Sequence, residues 1–497
     1  MNDTFKMKVL ESQDVKKIHK ATLEILGEVG VKIPHKDILN IFKKEGATVD
    51  FEKETVRMSE KFVEEILKKI IKNTKSYYQK YEKDSVSEEK RYDSILTIAN
   101  IPYIIDIETG VRRNANLLDV LKAIVVSNNL GFKRVSAFVS PEGYNESVIP
   151  IIQHYLLFIY SKNRKFKNQV YHSIKTARCI IEMVEQVAEN EIQRRNGTLV
   201  EFEMEPVANL EFSNNDLEVA MEFTAKKMKV LTTHWCWMGY HSPMTYASCF
   251  ALANANNLAG MIILALLDPD ILFFDYIFAV HSINKNNLEM PLFGGPQQAI
   301  LAIGGKQIAD YYGFQYYLAT TNCSDSVENN FQSGFERGVN GALAVAGGVD
   351  NRGVRGIIGA DQGASLEQLV IDKAMDDVYR FIFSKKVEVS DDTIDMKTIK
   401  SKGIGKIFFP PAGGNFNEYW LDSDIFVNDL YENAKKGKVI QNITSKIAGI
   451  LKKEFPPKPV IDSSKIKKLD KIMESYVGAE VFKKFKSELD SVLKNNF

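Results

Sequence analysis

Aromatic side chains gather at two places in the sequence where a positively charged molecule could be held. Residues 234–241 read HWCWMGYH and contain two of the three tryptophans of the chain, and residues 273–276 read FFDY. Aromatic ring faces attract cations, and boxes of such rings recognise quaternary ammonium groups, which have no N–H to donate. The sequence therefore suggests an aromatic cage for a quaternary ammonium group, built by Trp235, Trp237, Tyr240 and Tyr276.

The same rings could instead belong to the packed interior of the protein. Trp235 and Trp237 have the same parity along a strand, so their side chains would lie on one face. The cage requires that this face points into the mouth of the site. Asp275 or Asp361 could then supply a countercharge.

No established catalytic motif is present elsewhere in the sequence. HExxH, GxSxG, a Walker A loop and the DxHxxG signature of corrinoid binding are all absent. The four cysteines are widely spaced, which is typical of a reducing cytosol and gives no spacing for zinc. We therefore expect no metal site and no corrinoid bound tightly by the chain itself.

The balance of charge excludes several classes of partner. Lysine plus arginine and aspartate plus glutamate are both 64, which gives a formal net charge of zero and no general attraction to nucleic acid or acidic membranes. The first residues are polar and charged, unlike a signal peptide. The most apolar window, 247–267, is interrupted by three asparagines and predicts a buried helix rather than a membrane span. These features favour a cytoplasmic enzyme.

A regular alternation of strands and helices must position the candidate residues. Each strand-like segment is followed by a helix-like segment, and this order predicts an α/β fold built as a TIM-type parallel βα barrel. In such barrels the loops after the strands carry the chemistry. An open doubly wound sheet is the alternative, but no GxGxxG sequence follows the first strand. The predicted strands are 103–107, 134–140, 168–172, 205–212, 230–235, 271–279, 315–321 and 354–359.

Two additions flank the predicted barrel. Residues 1–92 show apolar residues at helical spacing and a charged stretch, which predict a helical N-terminal subdomain and a connector. Residues 93–400 form the barrel catalytic domain. Residues 401–497 form a rim segment and a Lys-rich helical tail.

Several longer segments, in their order and spacing, carry a family resemblance. They include LEILGEVGVKIPHKDILNIFKKEGATVD at 23–50, ETGVRRNANLLDVLKAI at 108–124, FGGPQQAILAIGGKQIADYYGF at 293–314 and SLEQLVIDKAMDDVYRFI at 365–382. The chain resembles the trimethylamine methyltransferase superfamily, and within it the pyrrolysine-lacking branch that includes glycine betaine methyltransferases.

This resemblance implies a TIM-barrel enzyme that moves a methyl group from an amine to the Co(I) of a separate corrinoid protein. The loop at Ser324–Ser326 corresponds to the position of pyrrolysine in trimethylamine enzymes, and here it holds only standard residues. That difference favours a quaternary amine such as a betaine. A quaternary nitrogen leaves as a neutral amine, so the transfer requires positioning and charge balance rather than an acid.

The resemblance also implies roles for polar residues near the strand ends. Asp325, Gln332, Glu336 and Asp361 become candidates for orienting the substrate or the cobalt face, although each could be a helix cap or a surface pair. The carboxylate of a betaine would be received by His234, His172 or Arg355.

Other readings of the chain stay open. It could be a relative with a different methylated substrate, or a binding protein for betaine-like solutes without catalysis. We expect a homo-oligomer, because symmetric assembly is common among enzymes and the helical tail could supply an interface.

Overall fold

The computed structural model describes residues 7–81, 101–132, 134–163, 166, 173–318, 321–349, 353–384, 387–408, 421, 423–428 and 437–494. Within these residues the chain is a mixed α/β protein. The predicted strand at 168–172 and the predicted boundary at residue 92 lie outside the described residues.

The first part of the chain combines helices with short strands. Gly30 ends a π-helical turn that continues the first helix, and its φ of 85° lies in the left-handed region. A Cβ at Gly30 would lie 2.6 Å from the Val56 carbonyl oxygen, so only glycine fits this turn. The sequence predicted these helices but not the strands. The elements are α1 (Ser12–Glu24), β1 (Val31–Lys32), α2 (Lys36–Lys44), β2 (Thr48–Asp50), β3 (Thr55–Arg57) and α3 (Glu60–Tyr81).

Short strands and longer helices alternate through the central part of the chain. The strands are β4 (Tyr103–Ile105), β5 (Arg112–Asn114), β6 (Phe202–Met204), β7 (Pro206–Ala208), β8 (Glu211–Phe212), β9 (Val230–Thr232), β10 (Cys236–Met238), β11 (Asp275–Ile277), β12 (Val280–Asn284), β13 (Asn287–Leu292), β14 (Gln315–Leu318), β15 (Ile357–Ile358) and β16 (Gly363–Ala364). The helices are α4 (Leu117–Leu130), α5 (Ile149–Tyr160), α6 (Ile174–Val187), α7 (Glu191–Arg195), α8 (Asn214–Ala225), α9 (Tyr246–Leu267), α10 (Gln297–Tyr312), α11 (Phe331–Ala346) and α12 (Leu366–Ser384).

Parallel pairing recurs among the central strands, beside antiparallel pairs of neighbouring strands. β6 pairs with β9, β11 pairs with β14, and β16 pairs with β4. Parallel bridges also join Ile101 to Val139 and Val135 to Phe166. Parallel strands with helical crossovers were predicted, and this part of the prediction is confirmed. Within the described part of the chain, the paired strands do not join into one closed ring.

Alternate residues along these strands point to two different faces. Leu231, Ile277 and Ala279 form one buried cluster, which we call the inner face, and Trp235 packs against it. Glu203 is the register partner of Leu231 and therefore points the same way. The intervening residues point toward the surrounding helices.

One predicted strand is wrong in position, and one sheet was not predicted. The strand predicted at 205–212 lies at β6 instead, and β7 and β8 turn back as an antiparallel pair that joins β1. The left-handed Leu210, with φ 57°, makes this reversal. The sheet of β10, β12 and β13 was not predicted.

Helix α9 is the predicted buried helix. It is long and apolar enough to cross a membrane, yet 78% of its apolar window is buried inside the protein. Its asparagines are used internally: Asn257 donates to the Ile277 carbonyl oxygen at 2.6 Å, and Asn254 donates to Thr22 Oγ1 at 2.9 Å. The prediction that this segment forms a buried helix is confirmed.

Gly260 lets α9 approach β9 closely. A Cβ there would lie 2.0 Å from Thr232 Oγ1 and 2.7 Å from Thr232 Cβ. Gly260→Ala should therefore lower the free energy of unfolding by about 1–3 kcal/mol through overpacking, measured by denaturant titration. Gly449→Ala is the control, because a Cβ built on Gly449, in the last part of the chain, would meet nothing within 4 Å. It should stabilise by up to about 1 kcal/mol, and equal losses for both variants would contradict this account.

The last part of the chain is helical, and it packs across the outside of α4, α5 and α6. The Tyr155 hydroxyl donates to Asp470 at 2.5 Å, and the backbone N–H of Val460 donates to the Ile159 carbonyl oxygen at 2.7 Å. The predicted boundary at residue 400 falls inside a helix. The helices are α13 (Asp391–Ile394), α14 (Met396–Lys402), α15 (Lys438–Glu454), α16 (Ser463–Val477) and α17 (Ala479–Val492).

Candidate functional site

Polar and aromatic side chains follow the C-terminal ends of the central strands. Glu205 follows β6, Trp235 follows β9, and His281 lies in β12, the strand that comes next in the chain after β11. Asp325 follows β14, and Asp361 lies in the turn between β15 and β16, which form an antiparallel pair. We call these five residues the strand-end site. The C-terminal ends of parallel strands share one edge, which is where sites are built in such folds.

Trp235 is held on two sides. Its indole Nε1 donates to Glu205 Oε1 at 2.9 Å. Its ring lies nearly parallel to the His281 ring, with centroids 5.3 Å apart and planes 9° apart. The side chain is only partly buried, above the apolar inner face. The result is a fixed aromatic surface with a carboxylate at its edge.

The histidine beneath Trp235 is uncharged at neutral pH. Burial lowers the pKa of His281 to about 3, because the imidazolium would lose its hydration. Gln298 Nε2 donates to His281 Nδ1 at 2.9 Å, so this nitrogen carries a lone pair. His281 therefore adds no positive charge that would oppose a cation above Trp235.

The other predicted aromatic residues do not join Trp235 in one box. Trp237 packs against Tyr240 and His241, with ring centroids 5.3 and 5.2 Å away. Tyr240 is largely exposed. Of the four predicted cage residues, the structure places Trp235 in the strand-end site, and it places Trp237 and Tyr240 together in a separate cluster.

Tyr276 belongs to the packed interior, which corrects its predicted role. It is fully buried, and its hydroxyl donates to Asn254 Oδ1 at 2.7 Å. Its ring stacks on Phe278 and Phe314. The reason is parity: Ile277 points to the inner face, so Tyr276 points to helices α9 and α10.

The predicted receptors for a carboxylate also lie elsewhere. Arg355 is buried, and its Nε and Nη2 donate to the two carboxylate oxygens of Asp376, both at 2.9 Å. His234 donates from Nε2 to Asn209 Oδ1 at 2.9 Å, and burial, with His241 nearby, lowers its pKa to about 3. Neither is a free cation, so both assignments are corrected. His172 lies outside the described residues.

The structure brings Asp325, Gln332 and Glu336 together as a brace for the loop after β14. Asp325 accepts the backbone N–H groups of Phe293 and Gly294 at 2.9 and 2.8 Å. Glu336 accepts Ser324 Oγ at 2.6 Å and Asp325 N at 3.0 Å, and the exposed Gln332 donates to it at 2.8 Å. These contacts hold the loop in place and tie it to the start of α10.

Asp361 differs from these braced carboxylates. It has a φ of 69°, and Ala360 before it has a φ of 52°, which is unusual for residues other than glycine. Backbone bonds from Gly359 N to Ser326 O and from Ala360 N to Ser324 O tie its turn to the neighbouring loop. Within the described part of the chain its buried Oδ1 has no hydrogen-bond partner. Strain together with an unsatisfied buried oxygen is typical of a functional position.

Burial raises the pKa of Asp361 from 3.8 to about 7. Because the folded-state value lies above the ordinary one, wild-type stability should fall as the pH rises from about 4 to 7 and stay low above pH 7. Three pKa units correspond to about 4 kcal/mol, which we halve because the side chain is partly exposed. Asp361→Asn should therefore be about 2 kcal/mol more stable than wild type at pH 8 and equal to it at pH 4.

Denaturant unfolding across pH 4–9 measures this difference. Asp270→Asn, at an exposed aspartate, is the control and should change stability by less than about 0.5 kcal/mol throughout. A constant difference between Asp361→Asn and wild type at every pH would show that the carboxyl does not titrate as described.

Sequence reasoning missed several residues that the site depends on. The strand was predicted at 205–212, whereas the observed strand β6 ends at Met204. Glu205 was therefore placed inside a strand instead of just after one, and its hydrogen bond with Trp235 was missed. His281 carried no local signal. Arg337 could not be found because its partners Asn322, Ile357 and Asp372 are distant from it in the sequence. Glu203 and Glu205 are two residues apart, so their side chains point to one face of the strand. This spacing was the sequence signal that could have identified the carboxylate beside Trp235.

Two cavities lie away from the strand-end site. One of about 270 Å³ is lined by residues of α1 and α10, including Val15, Gln307 and Tyr311. Another of about 140 Å³ lies beside α12 and α15, where Lys373 and Lys446 line it. Neither contains a residue of the strand-end site, and the chemistry described above does not involve them.

Comparison with known proteins places the chain among enzymes. A family model described as trimethylamine methyltransferase matches residues 1–472. The trimethylamine methyltransferase MttB of Methanosarcina thermophila is 21% identical over 428 residues, which cover 81% of this chain and 83% of that protein. The glycine betaine methyltransferase of Desulfitobacterium hafniense strain Y51 is 22% identical over 341 residues, covering 67% and 68%. The solved monomethylamine methyltransferase MtmB of Methanosarcina barkeri aligns with a TM-score of 0.38 and 11% identity, over 90% of this chain and 99% of that one.

The chain is therefore a methyltransferase. It belongs to the trimethylamine methyltransferase family, since the family model covers almost its whole length. The resemblance predicted from the sequence is confirmed.

Proposed function

We propose that this enzyme transfers a methyl group from a quaternary amine, such as a betaine, to the Co(I) of a separate corrinoid protein. The observation that carries the proposal is the fixed pair of Trp235 and Glu205, 2.9 Å apart, in a chain of this family. An aromatic surface with a carboxylate at its edge suits a trimethylammonium group, which offers charge but no N–H. Relatives named for trimethylamine and for glycine betaine bracket this substrate class.

The electrostatics of the site favour a cation. Glu205 supplies negative charge, Asp361 supplies negative charge when it is deprotonated, and His281 is neutral. A cation that approached Asp361 would favour its carboxylate form and would be attracted more strongly in a buried setting than in water. The strand-end site would then hold the ammonium group by charge and by the Trp235 ring together.

The reaction requires little acid–base catalysis by the protein. A quaternary ammonium releases a neutral tertiary amine when one methyl group leaves, so no proton has to be supplied. The corrinoid, when its protein is docked, supplies the cobalt nucleophile that accepts the methyl group. The residues of this chain orient one N–methyl bond, balance the positive charge and exclude water. The braced loop of Asp325 and Glu336 would keep that orientation fixed.

The rim around the strand-end site fits a docking protein. Tyr240, Met244, Leu288 and Val327 are exposed apolar side chains on the segments that follow β10, β12 and β14. A partner that seats on the rim would cover this apolar surface. We propose that the corrinoid is supplied this way in the cytoplasm, and that this chain binds none tightly by itself.

We also propose that the central strands form a closed TIM-type barrel. Five parallel adjacencies follow the order that such a barrel requires, and β9 lies beside β11. The inner face of Leu231, Ile277 and Ala279 would be the packed interior of that barrel. Trp235 would then lie at its C-terminal mouth.

A thermal-shift screen followed by a transfer assay tests the function. Glycine betaine, proline betaine, carnitine, choline and trimethylamine are each added to the purified protein, and a ligand at about 100 times its dissociation constant should add about 2.7 kcal/mol of stability. The stabilising amine is then incubated with free Co(I) cobalamin to detect methylcobalamin. Choline shares the trimethylammonium group of glycine betaine without its carboxylate, so comparing the two shows which part is recognised.

The outcomes separate the readings of the chain. A shift with a quaternary amine and formation of methylcobalamin would support the proposal. A shift without methyl transfer, even with a corrinoid protein present, would indicate a binding protein. A shift with trimethylamine alone would overturn the quaternary substrate.

A further inference from the structure

Two buried cysteine side chains face each other where β10 meets α9. Cys236 is the first residue of β10, and Cys249 lies at the start of α9. Both side chains are fully buried, and both thiols are free. Their Sγ atoms are 3.8 Å apart, which is within hydrogen-bond distance for sulfur, so one thiol can donate to the other. We call these two residues the thiol pair.

The surroundings of the thiol pair activate one of its sulfur atoms. Hydrogen bonds from Cys236 and Ser242 lower the pKa of the Cys249 thiol, although burial opposes this effect. The same hydrogen bond raises the pKa of Cys236, which therefore keeps its proton. The start of a helix also favours an anion, and Cys249 lies close to the N-cap residue Thr245. Because the thiolate is the reactive form of cysteine, Cys249 is the nucleophile of the pair.

The other two cysteines show the effect of burial without such a neighbour. Burial raises the pKa of both Cys179 and Cys323. A buried thiol that keeps its proton is inert. These two residues are therefore internal references for the thiol pair.

We propose that Cys236 and Cys249 are a redox-active dithiol, which closes to a disulfide in hydrogen peroxide and reopens in a dithiol reductant. Closure brings the sulfur atoms from 3.8 Å to about 2.05 Å apart. Because both sulfur atoms are buried, the oxidant must be a molecule as small as hydrogen peroxide. In a reducing cytoplasm such a disulfide is transient, which is typical of redox-sensing cysteines.

Two chemical steps form the disulfide. The Cys249 thiolate attacks one oxygen of hydrogen peroxide, the O–O bond breaks, and a sulfenic acid and hydroxide are formed. The Cys236 sulfur then attacks the Cys249 sulfur, the S–S bond forms and the S–O bond breaks. The hydroxide groups take up the two thiol protons. Two thiols are thereby oxidised to one disulfide, and one hydrogen peroxide is reduced to two molecules of water.

Closure of the disulfide would act on the strand-end site through Trp235. Cys236 directly follows Trp235, so a movement of Cys236 toward α9 shifts the backbone that holds the indole parallel to the His281 ring. We expect the oxidised protein to bind a quaternary amine about 10-fold more weakly, because a small displacement of a binding group has a large effect. This expectation rests on the proposed function, whereas formation of the disulfide does not.

Counting the free thiols of the full chain tests the dithiol. Reduced protein that is unfolded and alkylated should carry four alkyl groups, one for each cysteine. After peroxide the thiol pair is blocked, and peptide mapping should find Cys236 and Cys249 in one cross-linked fragment. Dithiothreitol should restore all four alkyl groups. Four alkyl groups after peroxide, or a sulfinic acid at Cys249 without the cross-link, would overturn the proposal.

Two matched variants identify the sulfur atoms that react. Cys249→Ala should take up the same number of alkyl groups with and without peroxide, because Cys236 has lost its partner. Cys179→Ala removes a buried cysteine of α6 that lies outside the thiol pair, and it should still form the cross-link. An uncross-linked Cys179→Ala variant would contradict the assignment. Mapping of the wild type decides the matter if Cys249→Ala does not fold.

Amine binding by the reduced and the oxidised protein tests the effect on the strand-end site. Weaker binding after peroxide, reversed by dithiothreitol and missing in Cys249→Ala, would support the link to Trp235. Equal binding by both forms would overturn that link. A reduced protein that binds no amine would count against the proposed function, whereas alkylation decides the dithiol without any amine.

Discussion

Replacing Arg337 with methionine should lower the free energy of unfolding by about 3–5 kcal/mol. The side chain is fully buried and donates to Asp372 at 3.2 Å and to Ser333 Oγ at 3.1 Å. It also donates to the carbonyl oxygens of Asn322 and Ile357. Methionine fills much of the volume but leaves the Asp372 carboxylate buried without its main positive partner.

The same change should also lower methyl transfer. Asn322 follows β14 and Ile357 lies in β15, so Arg337 joins the two strands whose next loops carry Asp325 and Asp361. Lysine in place of arginine should recover only part of the stability, because a single ammonium group cannot reach both carbonyl oxygens and the carboxylate.

Denaturant titration of Arg337→Met beside Arg380→Met gives the measurement. Arg380 lies on α12 with its side chain 40% exposed and 3.8 Å from Asp377, so its loss should change stability by less than about 1 kcal/mol. Similar losses for both variants would show that the buried position of Arg337 has no special importance.

Replacing Trp235 with alanine should lower kcat/KM for the quaternary amine about 100-fold, or about 2.7 kcal/mol. The change removes the ring that is stacked on His281 and anchored by Glu205. A cation held over a partly desolvated indole gains about 2 kcal/mol or more, and the loss of ring surface adds to that. Phenylalanine should recover part of the activity, since it keeps a ring but cannot donate to Glu205.

Two other substitutions show whether the effect is local. Glu205→Gln keeps the shape and a hydrogen-bond acceptor but removes the charge, so it should weaken binding of the cation while the fold is retained. Tyr276→Phe is the control, because its hydroxyl contacts Asn254 on the helix side of the strands. If the Trp235→Ala variant bound the amine as tightly as the wild type does, recognition of the amine by the aromatic ring would be disproved.

The sequence predicted the architecture better than the site. The alternation of strands and helices and the buried α9 follow from hydrophobic periodicity, which local residue order determines. The start of α4 is similarly local, since Asn116 accepts the Asp119 N–H as a cap. The aromatic run after β9 also led to Trp235, because a strand end in a parallel sheet is a place where function is common.

The remaining errors come from register and from long-range pairing. Tyr276 and His234 were assigned to the site, yet each lies one residue away from an inner-face position. A shift of one residue exchanges the two faces of a strand, and composition alone does not reveal such a shift. The pairing of Arg355 with Asp376 likewise depends on the packing of α12 against β15, which no local pattern encodes.

The packing of α16 and α17 on earlier helices has a consequence for synthesis of the chain. Tyr144 and Tyr155 find their carboxylate partners Glu488 and Asp470 more than 300 residues later. At about 5–20 residues per second, α5 and α6 leave the ribosome roughly 15–60 s before those helices exist. During that interval the apolar surface they will cover is open to chaperones and proteases. Protease digestion of ribosome-stalled chains should therefore cut near α5 until α17 has emerged, and early protection there would show that the first half folds unaided.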